Sequence, residues 1–343
     1  MFFRKCVKEV LFVNRNRGVG FMEKKSIDIS FIIPVYNISN YLTKCLESLL
    51  RQTGISREII LINDGSTDNS IDVCRSFERK HKCISVIDKK NEGVSIARNI
   101  GIKKAQGEYI CFVDGDDFYI ENCVSVLLNE AENNNLDIVR GKYKRFDGQL
   151  LDESYPKNTV CDNEVLSGGE YLKRIMKNRE SEVVPWLGLF RRSFLLENDI
   201  IFPAGITYTE DQLFFLKALL SSECKIIDVD IAFYGYRIRK GSATQGNYSQ
   251  KKVEDIFYIV DRELELARKA KKNEKEIISF VSTTLSQVFM FYKLGGSEEK
   301  RYIEKIVSHY VNFDMIINAY NTTIRIKLLL SKYLPILLRI LYK

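Results

Sequence analysis

Between residues 27 and 143, short runs rich in β-branched residues alternate with longer amphipathic runs, and this alternation constrains the fold more than any other feature. It is typical of βαβ units, in which a helix connects two parallel strands. The strand candidates are 29–35, 58–62, 84–87, 109–113 and 137–141, and the helix candidates are 41–51, 70–79, 94–105 and 122–133. The sequence therefore predicts an α/β fold whose mixed, mostly parallel sheet is flanked by helices.

The rest of the chain has a different pattern. A further strand candidate at 225–229 is followed by long helical stretches beyond residue 249. We predict a sheet domain at 26–248, a C-terminal helical appendage at 249–322 and a basic, apolar, amphipathic tail at 323–343. Residues 1–25 lack a clear period and are predicted to be an N-terminal extension, either disordered or an artefact of an upstream start.

The net charge of +7 comes from the two ends of the chain. Residues 1–25 carry seven Lys and Arg against two Glu, and residues 323–343 carry five with no acidic residue. The part between them has 40 basic and 43 acidic residues, a net charge of −3. Because a nucleic-acid binder needs a basic face that neutralises phosphates, we expect no nucleic-acid partner.

The eight cysteines include no CxxC pair and lie mostly in apolar stretches, which is typical of small core residues in a reducing compartment. No uncharged apolar run approaches the roughly 20 residues of a membrane-spanning helix, and the first residues lack a signal-peptide pattern. We therefore predict a cytoplasmic protein.

Polar segments follow each of the first four predicted strands, at 34–37, 63–68, 91–93 and 114–117. In an open α/β sheet, ligands bind beyond the carboxyl ends of the strands. Each segment alone is also typical of a turn or a helix cap. Four of them at one edge of the sheet indicate a binding site.

Asp114 and Asp116 form the most specific part of this predicted site. Side chains two residues apart on extended backbone point the same way, and Gly115 between them lets a ligand approach closely. Neighbouring carboxylates repel unless a cation joins them, and hard divalent cations complete their oxygen shell with substrate phosphates. The pair therefore indicates a metal-bound diphosphate.

The sequence lacks the motifs of other common nucleotide-binding sites and of histidine-based catalytic or zinc sites. No GxGxxG follows the first strand, and there is no P-loop. The two histidines, His81 and His309, lie outside the candidate site, so we expect neither a catalytic histidine nor a histidine-bound zinc.

Four segments carry a family resemblance. They read FIIPVYN at 31–37, NDGSTD at 63–68, NEGVSIARNIG at 91–101 and FVDGDD at 112–117. In this order they resemble the family 2 glycosyltransferases of the GT-A fold, of the bacterial polysaccharide type. The resemblance covers about residues 27–245 and implies a Rossmann-like GT-A sheet that binds a nucleotide-sugar.

The resemblance implies roles for individual residues. Asp64 would recognise the uracil of a UDP-sugar, and Asp114 would lie at the ribose. Asp116 would bind the divalent metal, Mn²⁺ or Mg²⁺, on the diphosphate. The remaining residues of the nucleotide pocket would be Pro34, Val35, Tyr36, Asn37 and Arg98.

The segment YTEDQLF at 208–214 resembles the Glu-Asp motif of the family. This implies that Asp211 is the general base and that Glu210 contacts the donor sugar or the acceptor. Such a base takes the proton of the acceptor hydroxyl on the face opposite the leaving diphosphate. Because Asp211 opens an apolar helix, a cap that interacts with the helix dipole is the structural alternative.

Two later segments add candidates. Arg239, in YRIRKGS at 236–242, resembles a basic loop residue that would neutralise the departing UDP, and a solvated basic turn is its alternative. Trp186, in PWLGLFRR at 185–192, resembles a residue near the acceptor, although Leu187 and Gly188 differ from the residues that usually follow it. A core tryptophan is the alternative there.

Together these residues predict an inverting glycosyltransferase that moves a sugar from a UDP-sugar to a glycan or lipid-linked glycan in cell-surface polysaccharide synthesis. Two alternatives remain. A sugar-phosphate nucleotidyltransferase usually has a Gly-rich first loop, which 34–37 is not. A non-catalytic sugar-nucleotide-binding protein would have no need of Asp116 or Asp211, and both are present.

The basic residues of the tail recur every seven positions, at Arg325, Lys332 and Arg339. On one helix they would share a face, which predicts peripheral contact with anionic lipid. The alternative is a tail whose leucines pack on the preceding helices or on a second subunit.

Overall fold

The computed structural model describes residues 27–156, 161, 163–179, 183–239 and 248–342, so the predicted extension at 1–25 lies outside the described residues. Strands and helices alternate in the first part: β1 (Ile29–Val35), α1 (Ser39–Leu50), β2 (Arg57–Asp64), α2 (Ser70–Lys80), β3 (Ile84–Lys89), α3 (Val94–Lys104), β4 (Tyr109–Phe112), β5 (Phe118–Tyr119), α4 (Val124–Asn133) and β6 (Ile138–Asp147). The elements predicted for this part are present, and β6 runs well beyond its predicted end.

The middle of the chain completes the sheet. Its elements are β7 (Gln149–Tyr155), β8 (Leu166–Ser167), α5 (Gly168–Asn178), β9 (Gly188–Arg191), α6 (Arg192–Glu197), α7 (Glu210–Leu220) and β10 (Lys225–Arg237). The strand order is β3-β2-β1-β4-β9-β6-β10-β5, with β7 paired to β6 and β8 to β10.

The direction of the strands places the predicted site. β3, β2, β1 and β4 are parallel neighbours, and β6 is parallel to β10. β9 runs antiparallel between β4 and β6. The carboxyl ends of the first four strands therefore meet at one edge of the sheet, as the sequence predicts.

Successive side chains of a strand point to opposite faces of the sheet, and helices cover both faces. In β1, Phe31 and Ile33 belong to a hydrophobic cluster that includes side chains of α1 and α4. Ile32, between them, belongs to a second cluster with side chains of α3, α5 and α7. This second cluster continues without a break into the C-terminal helices, as far as Leu338.

The C-terminal helices are α8 (Gln250–Lys269), α9 (Glu274–Ser286), α10 (Val288–Leu294), α11 (Ser297–Tyr310), α12 (Phe313–Ile317), α13 (Thr322–Tyr333) and α14 (Pro335–Leu341). The stretch Glu274–Leu294 has the length and hydropathy of a membrane span, but 67% of its apolar window is buried inside the protein. Such burial is typical of a core helix. The division of the chain near residue 248 stays a prediction.

The tail forms two helices, because Pro335 has no amide hydrogen with which to continue α13. Each of the recurring cations bonds to the protein: Arg325 to the carbonyl of Ile317, Lys332 to the carbonyl of Ser308 and Arg339 to the carboxylate of Glu304. The predicted peripheral contact of these cations with anionic lipid stays a prediction, and Lys332 and Arg339 line one cleft although they lie on different helices. The exposed large side chains of these two helices are mostly apolar.

Candidate active site

The side chain of Asn37 holds the loops after β1 and β2 together. Its Oδ1 accepts hydrogen bonds from the backbone amides of Thr67 (2.8 Å) and Asp68 (3.3 Å). The backbone amide of Asn37 donates to Ser66 Oγ (3.2 Å). Asn37 has a left-handed φ of 53°, which asparagine adopts more readily than most residues. The neighbouring Tyr36 is 50% exposed. The first two predicted segments thus form one surface with an aromatic ring at its rim.

Asp64 ends β2, and its buried carboxylate joins the loop after β3. Oδ1 accepts hydrogen bonds from Lys89 Nζ (2.5 Å) and from the amide of Glu92 (2.9 Å), and Oδ2 accepts one from the amide of Gly93 (2.8 Å). A carboxylate has about four lone-pair sites, so one acceptor position remains for a ligand.

Three carboxylates follow β4, and each has a bonding partner. The partners are Arg98 for Asp114 (3.0 Å), Arg239 for Asp116 (2.6 Å) and the hydroxyl of Tyr234 for Asp117 (2.9 Å). Burial and the charges of Asp114 and Asp116 raise the pKa of Asp117 well above its usual range. Burial also raises the pKa of Asp114, and Arg98 opposes this change. Burial and the neighbouring carboxylates therefore favour the neutral form of Asp117, while Asp114 and Asp116 each pair with an arginine.

Arg98, on α3, joins this acidic segment to the start of α7. One guanidinium nitrogen donates to Asp114 (3.0 Å) and another to Glu210 (2.8 Å), and the group lies 5.1 Å from the ring centre of Phe202. Burial lowers the pKa of Arg98, but the neighbouring carboxylates raise it overall. The buried, charged guanidinium fixes the separation of two segments that are distant in sequence.

Asp211 lies in the first turn of α7, directly after Glu210. Burial and the charge of Glu210 raise the pKa of Asp211 to about 7, while Arg98 opposes them. Its Oδ1 also accepts a hydrogen bond from the amide of Gln212 (2.9 Å), so the contact with the helix start that the alternative requires is present too. A carboxylate with this pKa can exchange a proton near neutral pH.

The loop that leads into α7 is anchored from two sides. From α3, Ser95 Oγ donates to the carbonyl of Ile206 (2.9 Å). From α8, the buried carboxylate of Asp255 accepts hydrogen bonds from both the amide and the hydroxyl of Thr207 (3.0 Å each). The C-terminal helices therefore help to position Asp211.

Arg237 and Arg239 reach the acidic segment from the end of β10. Arg237 Nε donates to the carbonyl of Asp116 (2.7 Å), and Arg239 Nε donates to the carboxylate of the same residue (2.6 Å). Both guanidinium groups lie near the ring of Tyr41, at 5.2 and 5.4 Å. Both side chains make specific contacts with the acidic segment, unlike the side chains of a solvated turn. Arg237 was not among the residues predicted for the site.

Trp186 belongs to an aromatic layer beside the acidic segment. Its ring stacks on Tyr234, with 4.6 Å between centroids, and on Tyr236 at 5.7 Å, and it meets Tyr143 edge-on at 5.1 Å. Tyr234 in turn bonds to Asp117. The half-buried tryptophan thus packs partly as a core residue and also lies next to the site.

Comparison with known proteins establishes the family. The family model described as "Glycosyl transferase family 2" matches residues 30–197. The uncharacterized glycosyltransferase EpsJ of Bacillus subtilis is 36% identical over 223 residues, which are 64% of this chain and 64% of EpsJ. The chain belongs to the family 2 glycosyltransferases. Poly(ribitol-phosphate) beta-glucosyltransferase of Bacillus spizizenii is 34% identical over 256 residues, 71% of this chain and 38% of that protein. The match thus spans between about a third and two thirds of these relatives.

A solved structure extends the similarity of this glycosyltransferase to most of the chain. The crystal structure of Staphylococcus aureus TarS 1–349 in complex with UDP-GlcNAc superposes with a TM-score of 0.69 over 89% of this chain and 87% of that chain, at 23% identity. The fold class is therefore GT-A, which confirms the fold predicted from the sequence.

The contacts described above bring most of the predicted residues of this family 2 chain to one edge of the sheet. The exception among the nucleotide-pocket residues is Val35, whose side chain is fully buried in the core below β1. Only its backbone can face a ligand. The neighbouring Pro34 is half-buried. The roles that the resemblance implies for all these residues stay predictions.

Glu263, on α8, is a buried titratable residue that interacts with the candidate site and that the sequence does not reveal. Its carboxylate is fully buried, and Oε1 accepts a hydrogen bond from the hydroxyl of Thr284 (3.0 Å). Oε2 has no hydrogen-bond partner in the described part of the chain. Burial raises the pKa of Glu263 to about 8, although the bond from Thr284 lowers it; the charge of Asp211 acts in the same direction as burial. In sequence it lies in an ordinary charged helix, and only the fold reveals its electrostatic link to Asp211.

Asp114 and Asp116 suit a metal ion that is shared with a ligand. Among the described residues, no group of three or more His, Cys, Asp or Glu side chains is arranged to hold a metal. Each of the two aspartates bonds to an arginine through one oxygen, which leaves its other oxygen without a protein partner in the described structure. One or two carboxylates plus substrate phosphates are the usual ligands of Mg²⁺ in phosphate sites. The residues therefore fit a divalent ion that arrives with a diphosphate.

Proposed function

We propose that this chain transfers a sugar from a UDP-sugar to a hydroxyl group of a glycan or lipid-linked glycan, with inversion at the anomeric carbon. The observation that carries the proposal is the pair of bonds from Arg98 to Asp114 and Glu210. A direct displacement needs a site for the leaving diphosphate on one face of the anomeric carbon and a base for the acceptor hydroxyl on the opposite face. This bridge brings the candidate for each to the same edge of the sheet.

The nucleotide would lie on the loops after β1 and β2. Asp64 has an acceptor position left for the N3–H group of uracil. Neutral cytosine has no hydrogen at N3, so a carboxylate in this place favours uracil. The exposed ring of Tyr36 offers a surface on which the base can stack.

The diphosphate would lie against Asp116 and Asp114, whose carboxylate oxygens would hold Mn²⁺ or Mg²⁺. When bound, such an ion supplies electrostatic stabilisation of the negative charge on the leaving UDP. Arg239, bonded to Asp116 (2.6 Å), brings a second positive charge to the same place. It can donate hydrogen bonds to phosphate oxygens as that charge develops.

Asp211 would take the proton of the acceptor hydroxyl. Its pKa of about 7 leaves a large ionised fraction at neutral pH while keeping the carboxylate basic enough to accept a proton. The half-buried rings of Trp186 and Tyr236 offer a flat apolar surface for the face of a pyranose ring beside the acidic segment.

The names of similar proteins support the choice of donor and acceptor. One relative is named for transfer of glucose to poly(ribitol phosphate), and TarS 1–349 was crystallised with UDP-GlcNAc. For this chain we therefore propose a UDP-sugar donor and an acceptor in cell-surface polysaccharide synthesis.

The test measures donor binding and turnover in the same preparation. UDP-glucose, UDP-galactose and UDP-GlcNAc are screened for thermal stabilisation with Mn²⁺, Mg²⁺ or a chelator, since a ligand at a hundred times its Kd adds about 2.7 kcal/mol. UDP release is then followed with glycan acceptors. Stabilisation without UDP release from any acceptor would favour a sugar-nucleotide-binding protein. UDP-sugar formation from UTP and a sugar 1-phosphate would favour a nucleotidyltransferase.

The variant Asp116→Ala tests the metal assignment. It should abolish metal-dependent UDP release and leave the melting temperature close to that of the wild type, because it removes a partly exposed carboxylate from a repulsive cluster. Asp152→Ala, which removes an exposed carboxylate from β7, is the matched control. Metal-dependent turnover that persists in Asp116→Ala would contradict the assignment.

A further inference from the structure

A cleft between α11 and the tail helices α13 and α14 carries an excess of positive charge. Its volume is about 340 Å³. The charged residues that line it are four cations and one acid: Arg301, Lys305, Lys332, Arg339 and Glu304. Because the cations repel one another unless an anion joins them, this composition indicates an anionic ligand.

In the described part of the chain, two of these cations are in direct contact with no carboxylate, although the charge of Arg301 acts on Glu304 from a distance. The single acid, Glu304, is already bonded to Arg339 and to the hydroxyl of Tyr292 (2.6 Å). Within the described ranges, the side chains of Arg301 and Lys305 make no ion pair or hydrogen bond. The tail adds no acid either, because residues 315–342 contain no Asp or Glu.

Apolar side chains are exposed directly beside the cleft. Pro335 lines it, and both neighbours, Leu334 and Ile336, are exposed, with Ile336 at 69%. The other large apolar side chains exposed on α13 and α14 are Ile326, Leu329, Tyr333 and Leu337. A concentration of exposed apolar side chains on one pair of helices marks a surface that contacts a partner or a membrane.

We propose that the cleft and the exposed apolar side chains of α13 and α14 form a peripheral binding site for a bilayer that contains anionic phospholipid. The headgroup phosphate lies in the cleft against Arg301 and Lys305, and Ile336 and Leu337 enter the region of the acyl chains. A lipid is the one ligand that matches both features, since it carries a phosphate and a hydrocarbon chain in the same molecule. A free phosphate would match only the cations, and a second copy of the chain only the apolar surface.

The test is co-sedimentation of the full-length chain with vesicles at about 0.1 M salt, where charges are screened beyond about 10 Å. We expect binding to vesicles of phosphatidylglycerol and phosphatidylcholine and none to phosphatidylcholine alone. Arg301→Gln with Lys305→Gln should weaken this binding about 25-fold, because each basic residue near an anionic surface contributes roughly fivefold. Ile336→Ser with Leu337→Ser should weaken it at least about tenfold through the lost apolar contact.

The matched control is Lys103→Gln with Lys104→Gln, which removes the same charge from exposed positions at the end of α3. It should bind the vesicles like the wild type, and an equal loss in both charge variants would overturn the proposal. Saturable binding of inorganic phosphate by calorimetry, without vesicle binding, would also overturn it. So would a wild-type dimer that Ile336→Ser with Leu337→Ser makes monomeric by light scattering, without vesicle binding. Because vesicle binding is measured without turnover, these results are independent of the proposed transfer reaction.

Discussion

At the scale of single residues, Arg98 is the contact on which the candidate site depends. Its guanidinium lies between Glu210, which is buried, and Asp114, which is partly exposed. Arg98→Gln removes the cation and leaves the buried carboxylate of Glu210 without its counter-charge. We expect a loss of about 3 kcal/mol in the free energy of unfolding, measured by urea denaturation, and part of it should return in Arg98→Gln with Glu210→Gln.

The exposed pair of Arg75 and Glu78 on α2 provides the control for this prediction. Its two side chains are joined at 2.9 Å like those of the buried pair, but both are substantially exposed. Arg75→Gln should therefore cost less than about 1 kcal/mol. If Arg98→Gln cost no more than Arg75→Gln, the bridge would not be what holds the two segments together.

Asp211 allows a second prediction at this scale. Asp211→Asn preserves the shape of the side chain but removes its capacity to accept a proton. UDP-sugar binding by calorimetry should stay close to wild type, and UDP release should fall by about 10² to 10⁴, the usual contribution of a general base. Loss of donor binding in this variant would instead assign Asp211 to the donor pocket.

The pH dependence of turnover gives an independent measure of the same group. Because the pKa of Asp211 is raised to about 7, the carboxylate is mostly protonated below neutral pH and cannot serve as a base there. We expect kcat/KM to rise about tenfold per pH unit below pH 7 and to level off above it. A profile with no inflection near neutral pH would contradict the base assignment.

These two residues mark the limit of what the sequence reveals about the site. Asp114 and Asp116 could be singled out because they lie in a short contiguous motif directly after an apolar run, and Asp211 because its motif opens an apolar helix. The bond between Arg98 and Glu210 could not, because 111 residues separate them and no local pattern encodes their pairing. Arg237 was missed for a related reason, since a basic segment predicts equally well a turn in solvent.

At the scale of elements, the site is assembled by close contact between loops, and Gly65 lies where the loop after β2 meets the loop after β3. Gly65 has a φ of 70°, and a Cβ there would lie 2.7 Å from the amide nitrogen of Asn91. Gly65→Ala must therefore push away the loop that donates to Asp64. We expect a destabilisation of about 3 kcal/mol by urea denaturation, together with weaker UDP binding.

Gly148, in the turn between β6 and β7, separates the two causes in this prediction. It has nearly the same φ, 76°, but a Cβ there would meet nothing within 4 Å. Gly148→Ala should thus cost only the backbone strain, about 1 kcal/mol, and leave UDP binding unchanged. Equal effects of the two substitutions on stability and on UDP binding would show that the contact with Asn91 is unimportant.

The elements themselves were predictable where burial imposes a simple period. β1, β2 and β4 are buried on both faces and appear in the sequence as short apolar runs. β6 and β10 were predicted too short, because their second halves are partly exposed and mix charged with aromatic residues. The two-residue strands β5 and β8 exist only through pairing with β10 and carry no local signal.

At the scale of the whole molecule, the antiparallel β9 was the hardest feature to predict. It lies between β4 and β6, so the sheet order departs from the order of the sequence at this point. Successive βαβ units place parallel strands beside one another, and they do not indicate where in a mixed sheet an antiparallel strand is inserted. The same insertion brings Trp186, just before β9, next to Tyr234 on β10, which explains why the aromatic layer was not predicted.

The C-terminal helices also affect the stability of the whole molecule through the buried carboxylate of Glu263. Its pKa is raised from 4.5 to about 8, so between these values the folded chain binds a proton that the unfolded chain has released. The stability contribution of this group is therefore present below about pH 4.5 and is lost as pH rises to about 8, by up to about 1.4 kcal/mol per pH unit. The raised pKa of Asp211 acts in the same direction, but Asp211 is present both in the wild type and in the variant at position 263 that tests this prediction.

Glu263→Gln removes this titration while keeping an oxygen for the bond from Thr284. The free energy of unfolding of the variant, relative to wild type, should thus increase by about 3 kcal/mol between pH 5 and pH 8 in urea titrations. Glu265→Gln, on the more exposed side of α8, is the control and should differ from wild type by no more than about 0.5 kcal/mol throughout. If the difference between Glu263→Gln and wild type did not change with pH, Glu263 would have to be ionised in the folded chain. A cation that the described contacts do not include would then have to compensate its charge.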